Sequence, residues 1–170
     1  TPAAFGAGEN EGFNLLANPF TAALDFEDFI AFNVGIDASI YIWDDGGSEA
    51  GRRPNSDYLT INTMGVTGGS GRAADWDGYI RSGQGFLVRA TVDSDIIFAA
   101  DMREAGSNSD AGFFREDSPV SDNKIRLELT NGEVSSDILI GFASDATIGK
   151  DRMYDGNVFK SGKEVSLYSM

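Results

Sequence analysis

The clearest periodic pattern in the chain lies at Lys124–Thr130, where apolar and polar residues strictly alternate. The aliphatic residues point to one side and the Lys, Arg, Glu and Thr residues to the other, which is typical of a strand that buries one face and exposes the other. Asn131-Gly132, a strong signal for a tight hairpin turn, follows it, and a second apolar run covers 137–142. The pattern predicts an antiparallel hairpin, half-buried through its aliphatic face.

Further short segments rich in β-branched and aromatic residues are bounded by turn residues and are predicted as strands. Segment 38–43 is apolar on both faces, so we expect a central strand covered on both sides. The predicted strands other than the hairpin are 13–17, 38–43, 58–62, 85–91, 95–99, 112–115 and 164–168.

Segment 24–32 has a different period. Phe26, Phe29 and Ile30 recur at helical spacing, with acidic residues early in the segment, where they complement the positive end of a helix dipole. The segment predicts one short amphipathic helix. About nine short strands with one helix indicate an all-β fold, a jelly-roll-like antiparallel β-sandwich that forms a single domain over residues 1–170. Because the last predicted strand stops close to the end of the sequence, we expect the chain to be a fragment of a longer multidomain protein.

Composition removes much of the usual catalytic chemistry. The chain has no histidine and no cysteine, so it has no imidazole base and no thiolate nucleophile, and it lacks the usual nitrogen and sulfur ligands of zinc. It has 27 acidic and 13 basic residues, a formal charge of −14, which disfavours binding to nucleic acid or to an anionic membrane surface. No apolar run is long enough to span a membrane. We therefore expect a protein that is not an enzyme and does not insert into a membrane.

One acidic loop is a candidate metal site. Asp75 and Asp77, two residues apart and followed by Gly78, resemble the start of a calcium loop. Calcium takes six to eight oxygen ligands, so other acidic residues would have to help, and the glutamate of an EF-hand loop is missing because Phe86 stands at the twelfth position. The alternative is an acidic turn without a metal. The acidic residues that could complete a calcium site are Asp44, Asp45 and Asp57.

Aromatic residues are candidates for ligand binding, because flat rings stack on the apolar faces of sugars. Trp76 lies in a glycine-rich loop, where we expect it to be exposed and to contact a ligand together with Tyr79 and Tyr58. The alternative is that Trp76 closes one end of the sandwich. Trp43 lies in the predicted central strand and is expected in the core.

Several short phrases of the sequence, taken in order, resemble a β-sandwich module found upstream of the C-terminal sorting domain in secreted and cell-surface proteins of Bacteroidetes. Each phrase alone is weak, and their order gives the resemblance its specificity. The sequence departs from the family's pattern at Phe13, where Trp is common, and at Ala17, where Gly is common. The phrases are GFNLLANPF at 12–20, IYIWD at 40–44, SGQGFLV at 82–88, FFR at 113–115, IRL at 125–127, and YDG at 154–156 with Lys160.

The resemblance implies an extracellular or cell-surface location and export by the type IX secretion system. It attaches no activity to the module itself. The leading hypothesis is a non-catalytic structural or adhesive module whose loops 46–57 and 65–78 are presented outward. The alternatives are a carbohydrate-binding module joined to a polysaccharide-degrading enzyme, and a subunit that assembles into extracellular fibres by strand addition at open sheet edges. The expected partners are glycans or neighbouring protein modules.

Overall fold

The structure, a computed structural model, describes residues 2–3, 11–43, 58–68, 76–106, 108, 123–131, 135–157 and 167–169. Short strands predominate among them, with one α-helix and a short 3₁₀ turn at Ala100–Met102. The elements are β1 (Pro2–Ala3), β2 (Phe13–Ala17), β3 (Ala23–Asp25), α1 (Phe26–Phe32), β4 (Ile36–Trp43), β5 (Tyr58–Asn62), β6 (Gly65–Gly68), β7 (Tyr79–Ile80), β8 (Gly85–Ala90), β9 (Ser94–Asp95), β10 (Arg103–Glu104), β11 (Lys124–Thr130) and β12 (Ser135–Gly141).

The largest sheet has five antiparallel strands in the order β2-β8-β4-β5-β6. Strand β4 is at its centre and is buried along its length except at Trp43. Its inner face carries Ile36, Ala38, Ile40 and Ile42, and its outer face carries Asp37, Ser39, Tyr41 and Trp43. The prediction of a central strand covered on both sides is confirmed.

Helix α1 covers the inner face of this sheet. Asp25 caps its first turn, since the side-chain Oδ1 accepts a hydrogen bond from the backbone N–H of Asp28 at 3.0 Å. Phe26, Phe29 and Ile30 are buried, as their helical spacing predicts. The Phe29 ring meets Phe86 of β8 edge-on, with 5.4 Å between the ring centroids. The short amphipathic helix is therefore confirmed.

A three-stranded sheet, β10-β3-β7, contributes Leu24 and Ile80 to the same core. Asn18, in the Asn-Pro break after β2, joins the two sheets. Its buried side-chain amide donates to the carbonyls of Ile80 at 2.9 Å and Arg81 at 3.1 Å. All described pairings are antiparallel, so the predicted all-β, sandwich-like fold class with a single described helix is confirmed.

Strands β11 and β12 form the predicted antiparallel hairpin, but its aliphatic face is not buried as predicted. Ile125, Leu127 and Leu129 are each nearly half exposed. The opposite face contacts the edge strand β6: Arg126 donates to the Val66 carbonyl at 2.7 Å, and Asp137 accepts from the Gly68 N–H at 2.8 Å. An edge strand carries backbone groups without strand partners, and the polar face of the hairpin satisfies them.

Other strand predictions need smaller corrections. Segment 85–91 forms a strand that ends at Ala90, and of segment 95–99 only Asp95 belongs to a strand. The predicted outward loop 65–78 begins instead with strand β6, which pairs with β5 and so belongs to the large sheet. Leu167 and Tyr168 are not in a strand. The predicted strand 112–115, residues 164–166 and the loop 46–57 lie outside the described residues.

Candidate functional site

Trp43 and Tyr58 form an aromatic pair at one end of the five-stranded sheet. They stand opposite each other in the β4–β5 register, and their rings meet edge-on with 5.0 Å between the centroids. Trp43 is 42% exposed, so the expectation that it lies in the core is wrong. Alternation along β4 turns Trp43 to the outer face, whereas the inner face carries the core residues. The structure thus brings Tyr58 together with Trp43.

Trp76 lies elsewhere and is only partly exposed. Its ring packs against the hydrophobic core and meets Phe26 edge-on, with 6.3 Å between the ring centroids. This placement fits the alternative interpretation, in which Trp76 closes one end of the sandwich. Whether it also contacts a ligand stays a prediction.

Tyr79 belongs to β7 of the three-stranded sheet, where it pairs with Asp25. Partial burial raises the pKa of its hydroxyl, and the nearby carboxylates of Asp25, Glu104 and Asp77 add to the rise. Tyr79 and Tyr58 therefore lie in different sheets, although they were predicted to contact one ligand.

Asp77, the one described member of the predicted calcium site, is engaged by the protein itself. Its Oδ2 accepts a hydrogen bond from Arg81 Nη2 at 2.6 Å, and its Oδ1 accepts from the Tyr79 N–H at 3.3 Å. These contacts favour an acidic turn held by Arg81. Among the residues that the structure describes, no cluster of three metal-ligating side chains is found. Asp44, Asp45, Asp57 and Asp75 lie outside the described residues, so the calcium site stays a prediction.

A buried polar cluster, which the sequence analysis missed, lies on the outer face of β4. Asp37 is 5% exposed and accepts hydrogen bonds from Arg89 Nη1 at 3.3 Å and from the Asn157 side-chain amide. Lys150 Nζ lies 3.7 Å from its other carboxylate oxygen. The Tyr41 hydroxyl donates to the Asn157 carbonyl at 3.1 Å. Burial raises the pKa of Tyr41 well above its usual range, and the Asp37 carboxylate adds to the rise.

Residues 150–157 form the covering segment that closes this outer face. Arg152 donates to the carbonyls of Ile36 at 2.7 Å, Asn33 at 2.9 Å and Ile30 at 3.1 Å, which ties the segment to the end of α1 and the start of β4. Burial lowers the pKa of Arg152. A sequence signal existed: Asp37 is the one charged residue of a largely apolar strand, and a carboxylate there must find partners when it is buried.

Residues 3–170 match the model of a protein family described as a domain of unknown function (DUF8693). No curated protein and no solved structure matches the chain. Among the described residues, no helix is both long and apolar enough to cross a membrane.

Proposed function

Since the chain belongs to the DUF8693 family of domains of unknown function, we propose from its own chemistry that it is a non-catalytic structural and adhesive module of a secreted or cell-surface protein. The observation that carries this proposal is the role of two charged side chains, buried Asp37 and partly buried Arg152. Asp37 binds Arg89 and Asn157, and Arg152 binds three backbone carbonyls. Each of these groups fastens one part of the chain to another.

The composition supports the same proposal. Acid–base catalysis near neutral pH most often uses histidine, and covalent catalysis often uses cysteine; the sequence contains neither. Carboxylate-only mechanisms need two acids on either side of a substrate in a cleft. Asp37, Asp77 and Asp137 are each paired with an arginine.

The extracellular setting is proposed from the resemblance to modules of Bacteroidetes surface proteins. Two of its phrases, IYIWD and SGQGFLV, fall mainly on neighbouring central strands β4 and β8. A secreted fusion of the whole chain in a Bacteroidetes host would test it. We expect the chain at the cell surface, where added protease degrades it; retention in the cytoplasm of a host that exports its own surface proteins would contradict the location.

The non-catalytic assignment is tested with the purified chain and a panel of chromogenic glycosides, esters and phosphate esters at pH 5 to 9. We expect no product above the buffer blank for any substrate. Turnover that copurifies with the chain through two chromatographic steps and is lost on unfolding would overturn the assignment.

A second candidate function is a carbohydrate-binding module joined to a polysaccharide-degrading enzyme. The aromatic pair of exposed Trp43 and partly exposed Tyr58 favours it, since such rings on a sheet surface can stack on sugars. Fibre assembly, the third hypothesis, predicts oligomers that grow with concentration in sedimentation experiments. A chain that stays monomeric at high concentration would leave the first two candidates.

A further inference from the structure

We propose that the outer face of the five-stranded sheet, at its Trp43 end, binds a neutral polysaccharide. This surface, the aromatic strip, consists of Leu15, Ala17, Trp43, Tyr58, Gly85 and Leu87. The inference rests on the adhesive role proposed above and names the surface and the ligand class for that role.

The strand registers place the strip's residues side by side. Ala17 pairs with Gly85, and Leu15 pairs with Leu87, between β2 and β8. Tyr41 pairs with Leu87 between β4 and β8, so continuing that register places Trp43 beside Gly85. Paired residues point to the same face of a sheet, so these side chains share the outer face with Tyr58. With strands about 4.8 Å apart, four strands give a strip about 15 Å long.

Four of the six residues of the aromatic strip are exposed, and Tyr58 and Leu87 are partly exposed. Leu15 is 75% exposed and Trp43 is 42% exposed, and Ala17 and Gly85 are exposed as well. A methyl group added at Gly85 would have only Leu15 Cδ1 and the Leu16 carbonyl oxygen, both at 3.8 Å, as near neighbours. The indole of Trp43 therefore stands next to a place where the sheet carries no side chain. Tyr58, edge-on to the indole, supports it from the other side.

An apolar strip next to an exposed ring suits the apolar face of a pyranose. The aromatic strip is about 15 Å long and, with two residues along each strand, about 7 Å wide, so it covers on the order of 100 Å². That is far below the roughly 800 Å² that each partner contributes to a standard protein interface, so a second copy or a folded protein is a poor fit. The formal charge of −14 repels polyanions. A neutral polysaccharide is the ligand class that remains.

The test is affinity electrophoresis of the whole chain in native gels that contain hydroxyethylcellulose, xyloglucan or galactomannan. Dextran sulfate serves as the polyanionic comparison. We expect at least one neutral polysaccharide to retard the chain and dextran sulfate to leave its mobility unchanged. Trp43→Ala is expected to weaken the retardation at least tenfold.

Gly85→Val provides a second, independent variant. Gly85 is in a strand and is not among the described glycines with positive φ, and a β-branched residue is favourable in a strand. The valine of Gly85→Val should fill the place beside Trp43. The variant should keep its melting temperature within a few degrees and weaken retardation at least tenfold. Val34→Ala, at a 73% exposed residue in the turn before β4, is the matched control and should bind like the parent chain.

Each outcome decides the inference. Retardation lost in both Trp43→Ala and Gly85→Val and kept in Val34→Ala supports the aromatic strip. Retardation that survives both changes overturns the strip and leaves the adhesive role intact. Retardation by dextran sulfate alone, or by none of the polysaccharides, overturns the ligand class. Only turnover in the substrate panel would overturn the non-catalytic assignment, so the two failures are distinguishable.

Discussion

Strands β4 and β11 both carry apolar residues at every second position, yet the structure treats them differently. Strand β4 is buried on both faces, including its polar residues Asp37 and Ser39, whereas β11 is largely exposed on both faces. Strand β4 has a covering element on each side: α1 inside, and the covering segment 150–157 outside. The hairpin of β11 and β12 lies against the edge strand β6, and β11 meets β6 through the hydrogen bond from Arg126 to the Val66 carbonyl. Alternation thus indicates a strand, and the neighbouring elements decide which face is buried.

The comparison is tested most strongly by deleting equivalent aliphatic side chains. Ile40 is fully buried on the inner face of β4, so Ile40→Ala should lower the free energy of unfolding by about 3 kcal/mol, from lost burial and the cavity that remains. The measurement is urea denaturation followed by tryptophan fluorescence. Leu129→Ala, at a position 47% exposed in β11, is the matched control and should cost less than about 1 kcal/mol. Equal losses would contradict the comparison.

Removing a carboxylate should also lower the free energy of unfolding more at β4 than at the hairpin. Asp37→Asn removes a buried carboxylate and leaves Arg89 and Lys150 without their counter-charge. Both cations keep some contact with water, so we expect a loss of about 2 kcal/mol, below the range for a fully buried pair. Asp137→Asn at the more exposed pair with Arg126 should cost about 0.5 kcal/mol. Urea denaturation of both variants at pH 7 gives the comparison, and a larger cost at Asp137 would refute it.

Tyr41→Phe tests the outer face of β4 through its pH dependence. At pH 7 the loss of the hydrogen bond to the Asn157 carbonyl should cost about 1 kcal/mol. Burial raises the pKa of Tyr41 in the folded protein, so its contribution to stability is complete below the unfolded pKa of about 10 and falls as the pH rises above that value. The difference between the parent chain and Tyr41→Phe should therefore narrow above pH 10.

Denaturation midpoints at pH 7, 9, 10 and 11 measure this narrowing. Tyr79 and Tyr154 also have raised pKa values, and they are present in both proteins, so their effects cancel in the difference. A difference that stays constant up to pH 11 would show that the Tyr41 hydroxyl is not buried as described.

The smallest effect is expected at the aliphatic face of the hairpin. The double change Ile125→Thr with Leu127→Thr replaces two half-exposed side chains by residues that also favour strands. We expect the free energy of unfolding to change by less than about 1 kcal/mol. A loss of several kcal/mol, measured by urea denaturation, would show that this face is covered in solution and would remove the contrast with β4.

The predictions of secondary structure were confirmed where residue type and short-range spacing are sufficient to define an element. The bounds of β2, β5 and β11 follow from residue type and flanking turns, and α1 follows from the spacing of Phe26, Phe29 and Ile30. The site predictions depended on knowing which side of an element is open. Trp43 was assigned to the core and is exposed, and Trp76 was assigned to solvent and packs on Phe26. A ring's exposure depends on which elements cover it, and those are distant in the chain.

The sequence by itself determined the element types, the all-β class and the absence of imidazole and thiol chemistry, because these depend on residue identity and short-range spacing. Only the tertiary structure decided that Asp37 would be buried beneath residues more than a hundred positions away, and that the hairpin would turn its polar face to β6. The physical reason is that a surface becomes buried only when another part of the chain packs against it. Alternation along a strand shows which residues share a face. Which of the two faces is buried depends on the elements that pack against it.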